Sequence, residues 1–127
     1  MSGKEIVQEA YRLARASDHR ELRKLLADDA AWYPAREDAW RACPDPDAIV
    51  RTLLWRAGAG RLRPADPIEL GDRVLIRLKG MRLRRLGGSG GFRPKLFQIV
   101  EIRNGKIARM QDYAGRDEAL AAVGLKP

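Results

Sequence analysis

The dipeptide Asn104-Gly105 constrains the fold of this chain more than any other feature, because it lies between two runs with strand periodicity. Asn and Gly readily adopt the two positive φ angles of a type I′ turn, so the pair is a strong signal for a β-hairpin. The sequence therefore predicts two antiparallel strands, over residues 97–102 and 106–113, near the end of the chain.

The turn also predicts which side chains face each other, because a two-residue turn sets the register of a hairpin. The predicted register places Ile102 opposite Ile107, Ile99 opposite Met110 and Phe97 opposite Asp112. Side chains alternate between the faces of a strand, so one face should carry Phe97, Ile99, Ala108, Met110 and Asp112. Asp112 is the only carboxylate deep within that face. It is either a functional group or an acid that the fold must satisfy.

The rest of the chain is predicted from hydrophobic spacing and from capping and breaking residues. The expected helices cover residues 4–16, a short segment capped by Asp18, residues 46–57 with Asp45 as the cap, and residues 116–123. The expected strands cover residues 30–33, 61–70 and 73–79, with a further edge strand over residues 81–86. Pro64 and Pro67 favour an edge position for the 61–70 strand. This order indicates an α+β fold, in which helices cover one face of a strongly curved antiparallel sheet.

Length and composition indicate one globular domain, covering residues 1–127. The chain is 45% hydrophobic and 33% charged, which is typical of a folded protein. It contains no apolar run of membrane-spanning length and no recognisable signal peptide, so no membrane partner is expected. Cys43 is the only cysteine. An intrachain disulfide is therefore impossible, and a cytoplasmic location is the natural expectation.

The positive charge is concentrated in the middle of the chain. Residues 56–95 contain eleven Lys and Arg against three Asp and Glu, so this segment carries the whole net charge of +8. Such a segment can attract nucleic acid, an anionic ligand or an acidic partner, or it can be an ordinary solvated surface. Phe92 is the only aromatic residue between Arg56 and Lys95. Because stacking on bases needs aromatic side chains, specific nucleic-acid binding is not expected.

Several short motifs resemble one known family. Residues 105–113, 116–120 and 124–125 are similar to the end of a SnoaL-like domain, a family of the nuclear transport factor 2-like superfamily. Residues 71–76 resemble the strand before its hairpin, and residues 28–32 resemble its opening. The resemblance covers almost the whole chain. It implies a cone-shaped, cystatin-like sheet whose concave side, covered by the N-terminal helices, encloses an apolar pocket.

Asp112 is the residue best placed for chemistry. A desolvated carboxyl without a fixed cation has a raised pKa, which suits a general acid or base near neutral pH. The resemblance implies the same role, because SnoaL-like cyclases use a final-strand aspartate at the matching place. Those enzymes often carry His where this chain has Met110, and many relatives carry Asp where it has Gly115. The alternative is structural, with Asp112 accepting hydrogen bonds at the mouth of the cone.

Aromatic residues supply a candidate wall for a flat hydrophobic ligand. The candidate binding residues are Trp32, Tyr33, Trp40, Trp55, Phe97, Ile99 and Met110. Trp32 and Tyr33 are adjacent, so one should face the pocket and the other should face away; the resemblance places Trp32 near the pocket. For each aromatic residue alone, core packing is the simpler explanation.

These observations leave three classes of function open. The first is a small cofactor-free enzyme that moves protons on a hydrophobic molecule, by cyclisation, isomerisation or epoxide opening. The second is a non-catalytic ligand-binding or protein-interaction module, and the third is an anion or nucleic-acid binder. The spacing of His, Cys and acidic residues does not indicate a metal site. A homodimer is expected through the outer sheet face, where Gln98, Arg109, Gln111 and Tyr113 are predicted to lie opposite Asp112.

Overall fold

The computed structural model describes residues 1–59, 61–80, 83–91 and 93–125. Within these ranges the chain forms an α+β fold with the elements α1 (Gly3–Arg15), α2 (His19–Lys24), β1 (Leu26–Tyr33), α3 (Pro46–Gly58), β2 (Arg63–Leu70), β3 (Arg73–Lys79), β4 (Leu96–Arg103), β5 (Lys106–Tyr113) and α4 (Arg116–Ala122). The predicted order of helices and strands is confirmed, except for the edge strand expected over residues 81–86. Strand β1 is longer than expected, since it begins at Leu26 rather than at residue 30.

The three N-terminal helices begin at side-chain caps. Ser2 and Glu5 form a reciprocal capping box at the start of α1. Asp18 accepts a hydrogen bond from the Glu21 backbone N–H, and Asp45 does the same for Ala48 with proline at the first position of α3. Each cap satisfies a backbone donor that would otherwise lack a partner. The two Asp caps are the ones that the sequence predicts.

The five strands form one curved, open sheet in the order β1-β5-β4-β3-β2. Strand β2 lies at one edge, as its prolines predict. Three of the four strand pairs are antiparallel, as expected, whereas β1 pairs parallel with β5. Parallel pairing is possible here because a long connection, containing most of the fold, separates the two strands.

The hairpin between β4 and β5 has the predicted turn but a shifted register. Asn104 and Gly105 have φ angles of 53° and 75°, and Ile102 faces Ile107. The next pair is Glu101 with Arg109, so β5 contains one extra residue at this point, a β-bulge.

The bulge reverses which β4 residues share a face with Asp112. Gln98 faces Asp112 and Val100 faces Met110, whereas Phe97 faces Tyr113 and Ile99 faces Gln111. The predicted pairs Ile99–Met110 and Phe97–Asp112 are therefore wrong. A shift of one residue moves every following side chain to the opposite face.

Each face of the sheet supports its own core. The inner face, which packs against α1, α2 and α3, carries the larger cluster, including Trp32, Ile76, Val100 and Met110. The outer face is partly covered by α4, which forms a smaller cluster of Leu75, Phe97, Ile99, Ala119 and Leu120. Leu75 interrupts the charged side of β3, and its burial beneath α4 accounts for that interruption.

Two connections lie against each other beside the sheet. A Cβ added at Gly87 would lie 3.0 Å from the Ala35 Cβ, so the 83–91 segment packs closely on the 34–44 segment. Residues 83–87 form turns rather than the edge strand expected over 81–86, and residues 81 and 82 lie outside the described ranges. No helix among the described residues is long and apolar enough to cross a membrane.

Candidate functional site

Asp112 lies on the inner face of β5, buried beneath the helices with only 1% of its surface exposed. Its Oδ1 atom accepts two hydrogen bonds, from Trp32 Nε1 at 2.8 Å and from Gln98 Nε2 at 2.9 Å. Trp32 comes from the neighbouring strand β1, and the bulge places Gln98 directly across from Asp112. Two strands on either side of β5 thus hold one carboxylate oxygen.

Hydrogen bonds to Cys43 hold the backbone of Trp32 in place. Its backbone N–H and C=O both pair with Cys43, at 2.9 Å and 2.8 Å. The Cys43 thiol lies 3.3 Å from the Thr52 hydroxyl, and burial raises the pKa of this thiol. These contacts anchor the indole so that its N–H points at the carboxylate.

The hydrogen-bonded chain continues beyond Gln98. The Tyr11 hydroxyl, from α1, donates to Gln98 Oε1 at 2.9 Å. Burial raises the pKa of Tyr11 far above its ordinary value, with the negative charge of Asp112 adding to the effect. Tyr11 therefore stays protonated and acts as a donor.

A buried cation contacts the rings of Trp32 and Trp40. The Arg56 guanidinium, from α3, lies 4.1 Å from the centre of the Trp40 ring and 5.1 Å from that of Trp32. The two indoles meet edge to face, with centroids 5.0 Å apart. Such cation–π contacts stabilise a desolvated guanidinium, and Arg56 is only 8% exposed.

Three polar atoms around Trp32 are buried without a hydrogen-bond partner in the described part of the chain. They are Asp112 Oδ2, Arg56 Nη1 and Trp40 Nε1. Leaving one such atom unpaired costs about 1–3 kcal/mol, and folded proteins contain few of them. The three side chains that carry these atoms each contact the Trp32 indole, so one acceptor and two donors with spare capacity surround it.

The electrostatics of the site favour proton exchange near neutrality. Burial raises the pKa of Asp112 to about 7, against the lowering effects of Gln98, Trp32 and the Arg56 charge. Burial also lowers the pKa of Arg56, partly offset by Asp112. The predicted direction for Asp112 is confirmed. The predicted reason is incomplete, because this carboxylate both accepts hydrogen bonds and has a raised pKa.

The structure brings together only part of the predicted site. Trp32 faces inward, as expected, and Trp40 and Met110 pack in the same inner cluster. Tyr33 is 39% exposed and stacks its ring against Arg109, and Trp55 is 64% exposed on α3. Tyr33 is thus the member of the adjacent pair that faces away, as expected, and its assignment as a binding residue is wrong, as is that of Trp55.

Phe97 and Ile99 lie on the outer face, away from Asp112. Phe97 helps to line a separate surface groove of about 360 Å³, together with Ile68, Lys95 and Arg116. The bulge also corrects the prediction for Gln98, which was expected on the outer face and lies at the centre of the inner one.

Tyr11, Arg56 and Gln98 are the site residues that the sequence interpretation missed. Tyr11 and Arg56 lie on the buried faces of their helices, among Val7 and Ala14 on α1 and Leu53 and Ala57 on α3. The helical spacing of the apolar residues around Tyr11 and Arg56 could have predicted that both are buried. Gln98 had no such signal, because its face depends on the bulge.

The described residues contain no group of three or more His, Cys, Asp or Glu arranged to hold a metal ion. The buried polar atoms at the site are a carboxylate, an amide, a phenol, two indoles and a guanidinium. This set suits hydrogen bonding and proton transfer to an organic ligand.

No family model matches the chain, and no curated protein matches it in sequence. Solved structures do match. A candidate polyketide cyclase from Sinorhizobium meliloti is 22% identical, with a TM-score of 0.60 over 85% of this chain and 93% of that one. A nuclear transport factor 2-like protein of unknown function from Cytophaga hutchinsonii gives a TM-score of 0.63 at 9% identity, covering 94% and 96%. A cystatin-fold protein from Novosphingobium aromaticivorans gives 0.60 at 16% identity, covering 88% and 97%. The chain therefore has the nuclear transport factor 2-like, cystatin-like fold that its motifs predict.

Proposed function

We propose that the chain is a cofactor-free acid/base enzyme acting on a hydrophobic small molecule. The observation that carries this proposal is the set of three unpaired buried atoms around Trp32, at Asp112, Arg56 and Trp40. The set joins a proton acceptor to two hydrogen-bond donors. General acid/base chemistry needs that combination, because a proton leaves one atom while negative charge grows on another.

In the proposed reaction, ionised Asp112 takes a proton from an activated C–H or O–H of the substrate through Oδ2. The electron pair left behind moves onto a substrate oxygen. Arg56 Nη1 and Trp40 Nε1 donate hydrogen bonds to that oxygen and stabilise its charge. Asp112 then returns the proton to a different substrate atom, which completes an isomerisation or a cyclisation without net oxidation or reduction.

The substrate pocket is proposed to be largely apolar. Trp32, Trp40 and Met110 supply flat or polarisable surfaces next to Asp112. The likeness to a candidate polyketide cyclase agrees with proton-transfer chemistry on such a substrate. A carboxyl whose pKa lies near 7 exchanges protons in both directions at neutral pH, as this cycle requires.

A second candidate function is ligand binding without turnover. The same unpaired atoms would hold a polar group of a bound molecule equally well. The two functions differ in what Asp112 does after binding. An enzyme must remove a proton, whereas a binding module needs only the hydrogen bond.

Deuterium exchange at the acidic C–H of an enolisable aromatic ketone separates the two. A panel of such ketones is incubated with the protein in D₂O, and loss of the proton signal is followed by NMR. We expect exchange to be accelerated about 100-fold or more by the wild-type protein. Asp112→Asn should abolish the acceleration while ketone-induced chemical-shift changes in the protein persist.

Tyr33→Phe is the matched control, because Tyr33 is 39% exposed and its ring lies against Arg109, outside the inner cluster. It should leave the exchange rate unchanged. Binding of the ketones without accelerated exchange in the wild-type protein would favour the ligand-binding function instead.

A further inference from the structure

The buried hydrogen-bond chain that ends at Asp112 has a fixed direction. Tyr11 is protonated, and among the described residues its hydroxyl donates only to Gln98 Oε1. A flipped Gln98 amide would present its N–H groups to the phenol and leave the phenolic proton without an acceptor. The donor at Tyr11 thereby selects the orientation in which the Gln98 NH₂ group points at Asp112.

This orientation makes the two oxygens of Asp112 unequal. Oδ1 accepts from both Gln98 and Trp32, whereas Oδ2 is buried with no partner. A proton on Oδ1 would have to displace one of these donors, while a proton on Oδ2 displaces nothing. In the flipped orientation Gln98 Oε1 would face Oδ1 and repel the ionised carboxylate.

We propose that Tyr11 is a positioning residue that acts through Gln98 to hold both donors on Oδ1 of Asp112 and to reserve Oδ2 for the substrate proton. The inference rests on the proposed function in naming the substrate as the proton's source. The positioning itself is a property of the unliganded protein. Tyr11 touches neither the reacting oxygen nor the substrate and works only by fixing the amide.

The charged and titratable groups that face Asp112 come from two packed helices. Tyr11 lies on α1 and Arg56 on α3, and both influence the pKa of the carboxyl or are influenced by it. Arg56 acts directly through its charge, so its effect does not pass through Gln98. The contribution of Tyr11 can therefore be isolated by removing Gln98.

The test is a double-mutant cycle on the pKa of Asp112, read by ¹³C NMR of the aspartate carboxyl carbon between about pH 4 and pH 9. Tyr11→Phe should raise this pKa by about half a unit to one unit, since the ionised form loses its oriented donor. Gln98→Met should raise the pKa by at least as much. In the Gln98→Met background, Tyr11→Phe should add no further shift.

Tyr33→Phe is the control for loss of a tyrosine hydroxyl and should leave the pKa of Asp112 unchanged. An unchanged pKa in Tyr11→Phe, or an equal shift in both backgrounds, would overturn the proposal. If Tyr11→Phe does not fold, the wild-type protein still decides. The chemical shift of its Gln98 side-chain NH₂ group must change as Asp112 ionises. A chemical shift that stays constant through this titration would contradict the assigned orientation.

The result of the double-mutant cycle does not depend on whether the protein catalyses ketone exchange. A shift that disappears with Gln98, in a protein that does not exchange ketone protons, would refute the proposed function and leave the positioning role intact. Rapid ketone exchange with no effect of Tyr11→Phe on the pKa would do the reverse.

Discussion

Neighbouring residues of one strand, β4, belong to two different environments. Gln98 points to the inner face, where it joins Tyr11 to Asp112. Ile99 points to the outer face, where it packs in the small apolar cluster beneath α4. Both side chains are buried, at 0% and 5% exposure. Burial alone therefore does not distinguish a candidate site from an ordinary core.

The difference lies in polar atoms that keep unused hydrogen-bonding capacity. The outer cluster consists of apolar side chains that pack against one another and have no hydrogen bonds to make. The inner face buries a carboxylate, an amide and a guanidinium, and two of these three groups keep an unpaired atom. A fold tolerates such costly groups where they serve a purpose, so the inner face is where function should be sought.

The largest expected effect is the pH dependence of stability that Asp112 creates. Its pKa is about 7 in the fold and 3.8 in its ordinary state, so between these values the unfolded chain binds fewer protons than the native one. The free energy of unfolding must then fall as pH rises through this window, by on the order of 4 kcal/mol. Asp112→Asn lacks this dependence. Denaturant unfolding at about pH 4 and above pH 8 should show that the free energy of unfolding of the variant increases relative to that of the wild type as pH rises.

If the difference in free energy of unfolding between Asp112→Asn and the wild type does not change with pH, then burial does not raise the pKa of Asp112 in the fold. Gln111→Glu is the matched control, because residue 111 is the outer-face neighbour of Asp112. Its half-buried carboxylate should show a weaker pH dependence.

The second prediction concerns whether the inner and outer clusters unfold together or separately. Leu53→Ala in the inner core should cost about 2–5 kcal/mol and destabilise the whole fold, because Leu53 is fully buried. Leu120→Ala beneath α4 should cost about 2–3 kcal/mol and act locally. Hydrogen exchange of the backbone amides measures both effects. Protection should be lost only around α4 in Leu120→Ala and throughout the helices in Leu53→Ala; global loss in both would erase the distinction between the two clusters.

The third prediction compares Gln98 with Ile99 directly. Gln98→Leu leaves the Tyr11 hydroxyl and Asp112 each without one partner, so we expect a loss of about 1–3 kcal/mol. Ile99→Val removes only a methylene from an apolar cluster and should cost about 0.5–1.5 kcal/mol. Urea unfolding of the two variants at one pH gives both values. A smaller loss for Gln98→Leu than for Ile99→Val would show that the polar chain contributes little to stability.

The smallest expected effect concerns self-association through the outer face, which stays a prediction. Helix α4 covers part of this face, and the uncovered part, which includes Arg109, Gln111 and Tyr113, borders a cavity of about 140 Å³. If a homodimer uses this surface, Gln111→Arg should weaken it about tenfold, equivalent to about 1.4 kcal/mol. Sedimentation velocity over a range of concentrations measures the change. Trp55→Glu on α3 is the control and should have no effect; the reverse result would place the interface on α3.

Local signals predicted a large part of the fold. The Asn104-Gly105 turn, the Asp18 and Asp45 caps and the edge position of β2 all appear as expected. Each depends on residues within a few positions of one another, where backbone preferences act directly. The burial of Asp112 and the direction of its pKa were predictable for the same reason, since alternation along one strand places it beside Met110.

The partners of Asp112 were decided by the tertiary structure. Gln98 reaches the carboxylate because of a one-residue bulge, which depends on how β5 fits between β1 and β4. Tyr11 and Arg56 arrive from helices that lie far from Asp112 in the sequence. The sequence by itself thus determined the hairpin, the order of the elements and the acid. Only long-range packing, which summed many weak contacts to select one register, decided which oxygen of that acid stays free.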